Sequence, residues 1–386
     1  QVHDQREDIL TAVVDKKDKP LFTPGPLTTS ASVKEAMLRD LGSRDSEFID
    51  VVKNIRERLL RLASVSQSEG WEAVPMQGSG TFAIESVISS ITQREGKWLV
   101  IINGAYGERI LKIIERHGFA AEAIRCAENE LPHVAEIETA LAGGNFTHVS
   151  IVHCETTSGI MNPIAEIGAL VKRYGCVYFV DSMSAFGGVE FDFTACEIDF
   201  LVSSANKCVQ GVPGFGFALC RRTALEATEG FSRTMSLDLL AQWHGLAGNG
   251  QFRFTPPTHT LLAFAQALSE LEAEGGILAR AARYRANHDA CVTGMRAMGF
   301  TEYVSSELQG HIITSFLYPT DDFDFNDFYD RLNNKGFVIY PGKVTKADCF
   351  RIGHIGHLFP KDTEALLATI GEVATKMNLS FAAAPE

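Results

Sequence analysis

Val177-Tyr178-Phe179-Val180-Asp181 and, further on, Ser203-Ser204-Ala205-Asn206-Lys207-Cys208-Val209-Gln210-Gly211 decide how this chain folds. The first is an almost unbroken apolar run that stops on a carboxylate. The second follows directly on the apolar run 198–203, carries one lysine and enters a glycine turn. Runs that are apolar throughout, rather than alternating, suit strands covered on both faces, as in a parallel sheet. Working outward, 97–103, 148–154 and 214–220 read as strands of the same kind. Helix-period stretches fill the intervals. In 80–93, Phe82, Ile84, Val87 and Ile91 oppose Glu85 and Ser89; 109–117 and 164–174 behave similarly, and 261–274 is a long helix with Ala-rich faces. This alternation predicts an α/β fold with a mainly parallel sheet.

The pattern changes after Gly275. A helix at 277–298 is followed by a strand at 311–317, a helix at 325–335, strands at 337–340 and 349–352, and a helix at 361–377. That order suits a small α+β lobe. The expected division is a segment 1–25 lying across both lobes, a large domain 26–275 and a small C-terminal domain 276–386.

A length of 386 residues fits about two domains. With 45% hydrophobic and 22% charged residues, the composition is that of a globular protein that buries its core without disulfides or metal. Thirty-five basic against 48 acidic residues leave a net charge of -13, which argues against a dedicated nucleic-acid binder while allowing a local positive pocket. No apolar run is long enough for a membrane helix. The start, Gln1-Val2-His3-Asp4-Gln5-Arg6-Glu7-Asp8, does not read as a secretory signal. The eight cysteines form no CxxC pair and most sit in apolar segments, so reduced thiols in a cytoplasmic protein are expected, with no metal site.

In open parallel sheets ligands collect beyond the carboxyl ends of the strands. Asp181 stands at such an end, either as a helix cap or as the acceptor for a protonated ring nitrogen. Lys207 follows another. In a near-apolar setting its pKa falls and Schiff-base chemistry becomes accessible; a surface lysine on a turn is the plain alternative. Together, on successive strands, the two fit a ring held between an aldehyde-bound lysine and a carboxylate, the pyridoxal phosphate arrangement. Gln77-Gly78-Ser79-Gly80-Thr81 opens a helix, where small residues and the helix N-terminus favour an anion. Tyr106, between glycines, can lay its ring on an aromatic cofactor. His153 is read as a packed side chain rather than a base.

These segments, with Leu21-Phe22-Thr23-Pro24-Gly25-Pro26, Asn103-Gly104-Ala105-Tyr106-Gly107, Glu155-Thr156-Thr157-Ser158-Gly159, Asp181-Ser182-Met183-Ser184 and Phe350-Arg351-Ile352-Gly353, occur in the order found in class V (fold type I) pyridoxal-phosphate aminotransferases, which the chain resembles over about 20–378. The start at Thr23 and the segment from Cys154 to Ile160 are most similar to the branch that moves the amino group of 2-aminoethylphosphonate to pyruvate. The resemblance implies that Lys207 bonds the cofactor aldehyde and shuttles the proton. It implies that Asp181 keeps the ring nitrogen protonated and that Tyr106 stacks on the ring. Ser79, Gly80 and Thr81 would cradle the phosphate, and Thr157 would place a hydroxyl near the ring oxygen. Arg351 would grip the acidic end of the substrate, with Gly25 beside it. Thr255, in Phe252-Arg253-Phe254-Thr255-Pro256-Pro257, would reach the phosphate of a neighbouring subunit, so a homodimer with shared sites is implied. His354 and His357 depart from the pattern expected beside Arg351; if they line the pocket, acceptor preference changes.

An alanine- or serine-glyoxylate transaminase of the same class would share all the cofactor residues, and a donor comparison separates the two. A non-enzymatic α/β binding protein would hold no covalent cofactor. A pyridoxal-dependent lyase would consume no keto acid.

Overall fold

A computed structural model describes residues 18–379 and 381. Of the expected N-terminal segment, 1–17 therefore lie outside the described residues. The strands, in chain order, are β1 (Trp71–Gln77), β2 (Lys97–Ile102), β3 (Ala120–Arg125), β4 (His148–Val152), β5 (Cys154–Glu155), β6 (Ile160–Met161), β7 (Val177–Asp181), β8 (Phe200–Ser204), β9 (Phe215–Arg221), β10 (Ile313–Leu317), β11 (Tyr340–Pro341) and β12 (Cys349–Gly353).

Seven of them form one sheet in the order β1-β9-β8-β7-β4-β2-β3. All neighbours are parallel except β9, which runs antiparallel to both β1 and β8. The sheet is thus mainly parallel, as expected, with one reversed strand. β4, β7 and β8 are buried at nearly every position because helices cover both faces. Since β1, β2, β4, β7 and β8 share one direction, their carboxyl ends lie along one edge. Gln77, Ile102, Val152, Asp181 and Ser204 end there, and each is followed by one of the motifs singled out above.

Two sheet strands escape the pattern reading for physical reasons. β1 is an edge strand containing Pro75, which an edge tolerates because one side of its ladder is unpaired. It also buries Glu72, which breaks the apolar run but is matched in space by Arg56 (3.0 Å) and Arg222 (2.7 Å). β3 is the other edge. It is rich in alanine and mostly open to solvent, so its signal is weak.

After Gly275, which takes φ +115° between the helices Thr258–Glu274 and Gly276–Ala297, a three-stranded sheet β10-β12-β11 stands apart from the first. The strand expected at 337–340 is reduced to Tyr340–Pro341. Val338 is instead engaged by the N-terminal segment, through a bridge to Leu21 and a bond from Phe22 N–H to its carbonyl. The large sheet and its helices enclose one apolar core. Phe316, Phe350, Ile352 and Leu366 belong to a second, which Phe22 joins. Residues 18–33 therefore run from the second core, at Phe22, to the first, at Val33.

Candidate active site

Lys207 lies in the turn after β8, Asp181 at the end of β7, and both line one hollow of about 220 Å³ with Gly25, Ser79, Gly80, Thr81 and Tyr106. That volume is below the roughly 300–1,000 Å³ of sites for drug-sized ligands and suits one substituted ring. A larger hollow of about 730 Å³ lies elsewhere, but it contains no lysine, and its Arg280 and Arg283 both pair with Glu274.

The Lys207 amine opens to the hollow and is otherwise walled in by protein. Its Nζ donates to Pro24 O at 2.8 Å. Burial lowers its pKa from the ordinary lysine value, and the charge of Arg351 pushes the same way. Gly25 belongs to this contact. It has φ +119°, and a Cβ there would stand 2.7 Å from Asn206 O and 2.8–2.9 Å from Lys207 Cδ and Nζ, so a side chain at 25 would collide with the lysine.

Asp181 is 1% exposed. Its Oδ1 accepts from Met183 N–H at 2.9 Å, and Oδ2 has no hydrogen bond among the described residues. Capping and facing the hollow are therefore both open to one carboxyl group. Burial raises its pKa to about 6, against the opposing pull of Met183 N–H, Lys207 and Arg109.

The helix Gly80–Ile91 begins at the hollow. Ser79, its N-cap, makes no side-chain cap bond, which leaves the first-turn N–H groups available to an anion. Gly80 is closely approached, since a Cβ there would meet the end of the Met183 side chain and force it to move. Arg109 Nη1 donates to Thr81 Oγ1 at 3.1 Å and adds positive charge to the cradle. Arg109 was visible only as the first residue of an expected helix. That helix actually starts at Ala105, and the extra turn swings Arg109 round to Thr81.

Tyr106, in the first turn of the helix Ala105–Arg116, faces the hollow. Burial would raise its pKa, but the charges of Lys207, Lys343 and Arg351 and the nearby Thr156 outweigh it and hold the phenol below its ordinary value. The β5–β6 ribbon presents Thr157, whose hydroxyl accepts from Ala105 N–H at 2.8 Å and donates to Glu155 Oε1 at 2.5 Å. Glu155 is fully buried and also accepts from Thr157 N–H and Gly107 N–H. It ties the ribbon to the Tyr106 turn, a role its place in the motif did not disclose.

Arg351 comes from β12. It is 5% exposed. Its Nε donates to Pro341 O at 2.9 Å and its Nη1 to Thr156 O at 2.8 Å, so it reaches from the small sheet to the Thr157 ribbon. Among the described residues it has no carboxylate partner, and Nη2 makes no hydrogen bond. It does not line the Lys207 hollow itself but stands next to it. Thr255 lies apart, in a separate surface hollow with Arg253 and Phe254, tied to the phosphate-cradle strand by Gln77 Nε2. His354 is buried and bonded to Thr314 Oγ1, and His357 lies on the larger, distant hollow, so neither lines the site. His153 is packed, as expected. Its Nδ1 meets Ser182 Oγ, and burial lowers its pKa to about 3.

Comparison with known proteins places this geometry. The chain is 50% identical over 359 residues to the 2-aminoethylphosphonate–pyruvate transaminase of Vibrio vulnificus (strain CMCP6), covering 92% of this chain and 97% of that one. It is 51% identical over 354 residues to the protein of that name from Salmonella heidelberg (strain SL476), covering 91% and 96%. Among solved structures it is similar in fold to ureidoglycine-glyoxylate aminotransferase from Bacillus subtilis (TM-score 0.87, 22% identity, 96% of each chain). It is likewise similar in fold to pyridoxamine-pyruvate aminotransferase from Mesorhizobium loti (TM-score 0.86, 24% identity, 95% of each chain). The model of the family described as aminotransferase class-V matches residues 29–351, from just after the Gly25 turn to Arg351 itself. With the strand ends, the lysine turn and Arg351 all inside that match, the chain belongs to the class V aminotransferase family.

Proposed function

We propose that the protein transfers the amino group of 2-aminoethylphosphonate to pyruvate, yielding phosphonoacetaldehyde and L-alanine, with pyridoxal 5'-phosphate as cofactor. The observation that carries the reading is Arg351, a buried guanidinium beside Lys207 and Tyr106 with no carboxylate of its own among the described residues. A buried charge without a partner is costly, and an anionic substrate end supplies one. A planar fork suits both phosphonate and carboxylate, as the two half-reactions require. The two transaminases compared above carry that activity in their names.

The residues present fit the cofactor. An amine held at lowered pKa, a buried carboxyl with a free oxygen, an uncapped helix start and a glycine that no side chain could replace all meet in one hollow. Pyridoxal phosphate, when bound, supplies an aldehyde for the amine and an electron-withdrawing ring. Ser79, Gly80 and Thr81 would take its phosphate, Asp181 its ring nitrogen, Tyr106 its face and Thr157 a position near its ring oxygen. Lys207 Nζ would hold the cofactor in the resting enzyme and, once freed by substrate, would take and return the proton at the reacting carbon; its lowered pKa favours the free base this needs. Arg351 and Gly25 position the substrate so that this carbon stays within reach of Nζ.

We also infer a homodimer with shared sites. Thr255 stands clear of its own hollow, and Phe82 and Phe254 beside these segments are 53% and 46% exposed, as surfaces awaiting a second copy would be. The division into 26–275 and 276–386 is supported by the two large apolar cores, between which a smaller cluster including Cys154, Cys208, Tyr284 and Ile355 joins the parts. A cytoplasmic location is supported by eight free cysteines, and no helix of the described residues is long and apolar enough to cross a membrane.

A donor and acceptor panel on the purified holoenzyme tests the reading. Aminoethylphosphonate with pyruvate should be the preferred pair. Preference for serine or alanine with glyoxylate would overturn it. Light scattering in solution tests the dimer.

A further inference from the structure

We propose that Lys343 selects the phosphonate donor, by supplying beside Arg351 the second positive charge that a dianionic phosphonate needs and a carboxylate does not. This rests on the function proposed above and deepens it.

Lys343 lies on the loop between β11 and β12, the two strands that pair through Arg351. It is half-buried, and its Nζ stands 4.1 Å from the centroid of Tyr106, the ring that lines the Lys207 hollow; Lys343 itself stands beside that ring rather than on the hollow's wall. Among the described residues it makes no ion pair and no side-chain hydrogen bond. Lys34, Lys97, Lys172 and Lys335 each meet a carboxylate, and lysines without one, such as Lys53, Lys112 and Lys346, are exposed to water, whereas Lys343 is half-buried. The cation–π contact offsets only part of the lost hydration. The loop is held in place from the large sheet's side, where Glu128 Oε2 accepts from Thr345 N–H at 2.7 Å and Thr345 Oγ1 at 3.1 Å.

Lys343 and Arg351 thus come from one small sheet and act on one phenol, Tyr106. Alkyl phosphonates lose their second proton near neutral pH and then carry two charges, whereas alanine and pyruvate each present one carboxylate charge to this pocket. One guanidinium can neutralise one charge. A second left in a partly dehydrated site is unfavourable without its own partner. Lys343 meets that need for the phosphonate, and the acceptor half-reaction gains little from it.

The test measures single-turnover kcat/KM for 2-aminoethylphosphonate and for L-alanine in the holoenzyme, at mildly alkaline pH. Lys343→Gln should lower the phosphonate-to-alanine ratio by about tenfold or more, mainly through KM. Lys343→Arg should restore most of the ratio, and Lys346→Gln, the same charge change on the same loop, should leave it where it was. Methylphosphonate, as a non-reacting competitor of L-alanine, should lose affinity in Lys343→Gln while acetate does not. Equal losses for both donors, or an unaltered ratio and unaltered methylphosphonate inhibition, would overturn the proposal. A wild type that turns over alanine but not aminoethylphosphonate would instead fail the proposed function, and the methylphosphonate comparison would still read Lys343 separately.

Discussion

The Asp181–Lys207 pair lines the hollow and the Arg351–Lys343 pair stands next to it, and the two are built in different ways. The first pair stands at or just beyond the ends of adjacent strands of one sheet, so its placement follows from strand register and a short turn. The second reaches the site from a separate three-stranded sheet. It depends on two bridges, Arg351 to Thr156 and Thr345 to Glu128. On the reading proposed above, the rigid pair serves the chemistry common to amine substrates and the pair that depends on lobe docking serves recognition of a particular acid. Damage to the first pair should then appear in the chemical step, and damage to the second in substrate preference.

The hardest test is Lys207→Ala. Transamination should fall by roughly 10,000-fold or more, because the group that moves the proton is gone, while the fold persists. Multiple turnovers near the wild-type rate would remove Lys207 from the chemistry and dissolve the contrast.

Asp181→Asn should retain cofactor and lose on the order of 3 kcal/mol or more of transition-state stabilisation, a factor of at least about 100 in rate. It also has a pH signature in the cofactor-free protein. The folded carboxyl titrates near pH 6, above its ordinary value, so the folded state binds the extra proton between those two values. Stability contributed by this group is therefore present at low pH and lost as pH rises through about 6, by an amount on the order of 3 kcal/mol. Urea unfolding of the cofactor-free wild type should show that fall, and Asp181→Asn should lack it and be the more stable of the two at pH 8. Loss of activity together with gain of stability would mark a residue kept for function. Activity within about threefold of wild type would make Asp181 structural.

Arg351→Lys should weaken both half-reactions by about 10- to 100-fold in kcat/KM, since a point charge replaces a fork. Single-turnover spectra of the two cofactor forms read each half separately. A loss confined to the phosphonate half would place carboxylate recognition elsewhere. The smallest effect is expected at Glu128→Ala, which frees the Thr345 loop without touching either cation. KM for the phosphonate should rise about threefold, and more than kcat changes. A loss as large as that of Arg351→Lys would mean that the loop clamp is as rigid as the strand ends, and the contrast would fail.

How much of this was legible in the residues differs between the two regions for the same reason. The apolar runs before Asp181 and Lys207 announce covered strands, and the glycine turn at Gly78–Gly80 announces a helix start, because each signal is complete within a few neighbouring positions. The resemblance to class V aminotransferases added roles to those positions, and it named Arg351 without showing what holds it. Lys343 and Glu128 carry no local signature. β1 was hidden because Glu72 and Pro75 interrupt its run, and only packing reveals the arginines that match Glu72 and the unpaired edge that admits Pro75.

The sequence by itself determined the class of layers, the strand-end position of the carboxylate and the lysine, and the helix start between small residues. These follow from side-chain periodicity and backbone freedom, which act over distances of a few residues. Tertiary structure alone decided that Gly25 presses against Lys207, that Glu155 joins the Thr157 ribbon to the Tyr106 turn, and that Arg351 and Lys343 converge on one phenol. Those contacts join segments far apart in the chain: the first two form on or within the large domain and the third brings the small sheet to it, an outcome set by summed burial rather than by any one stretch of residues.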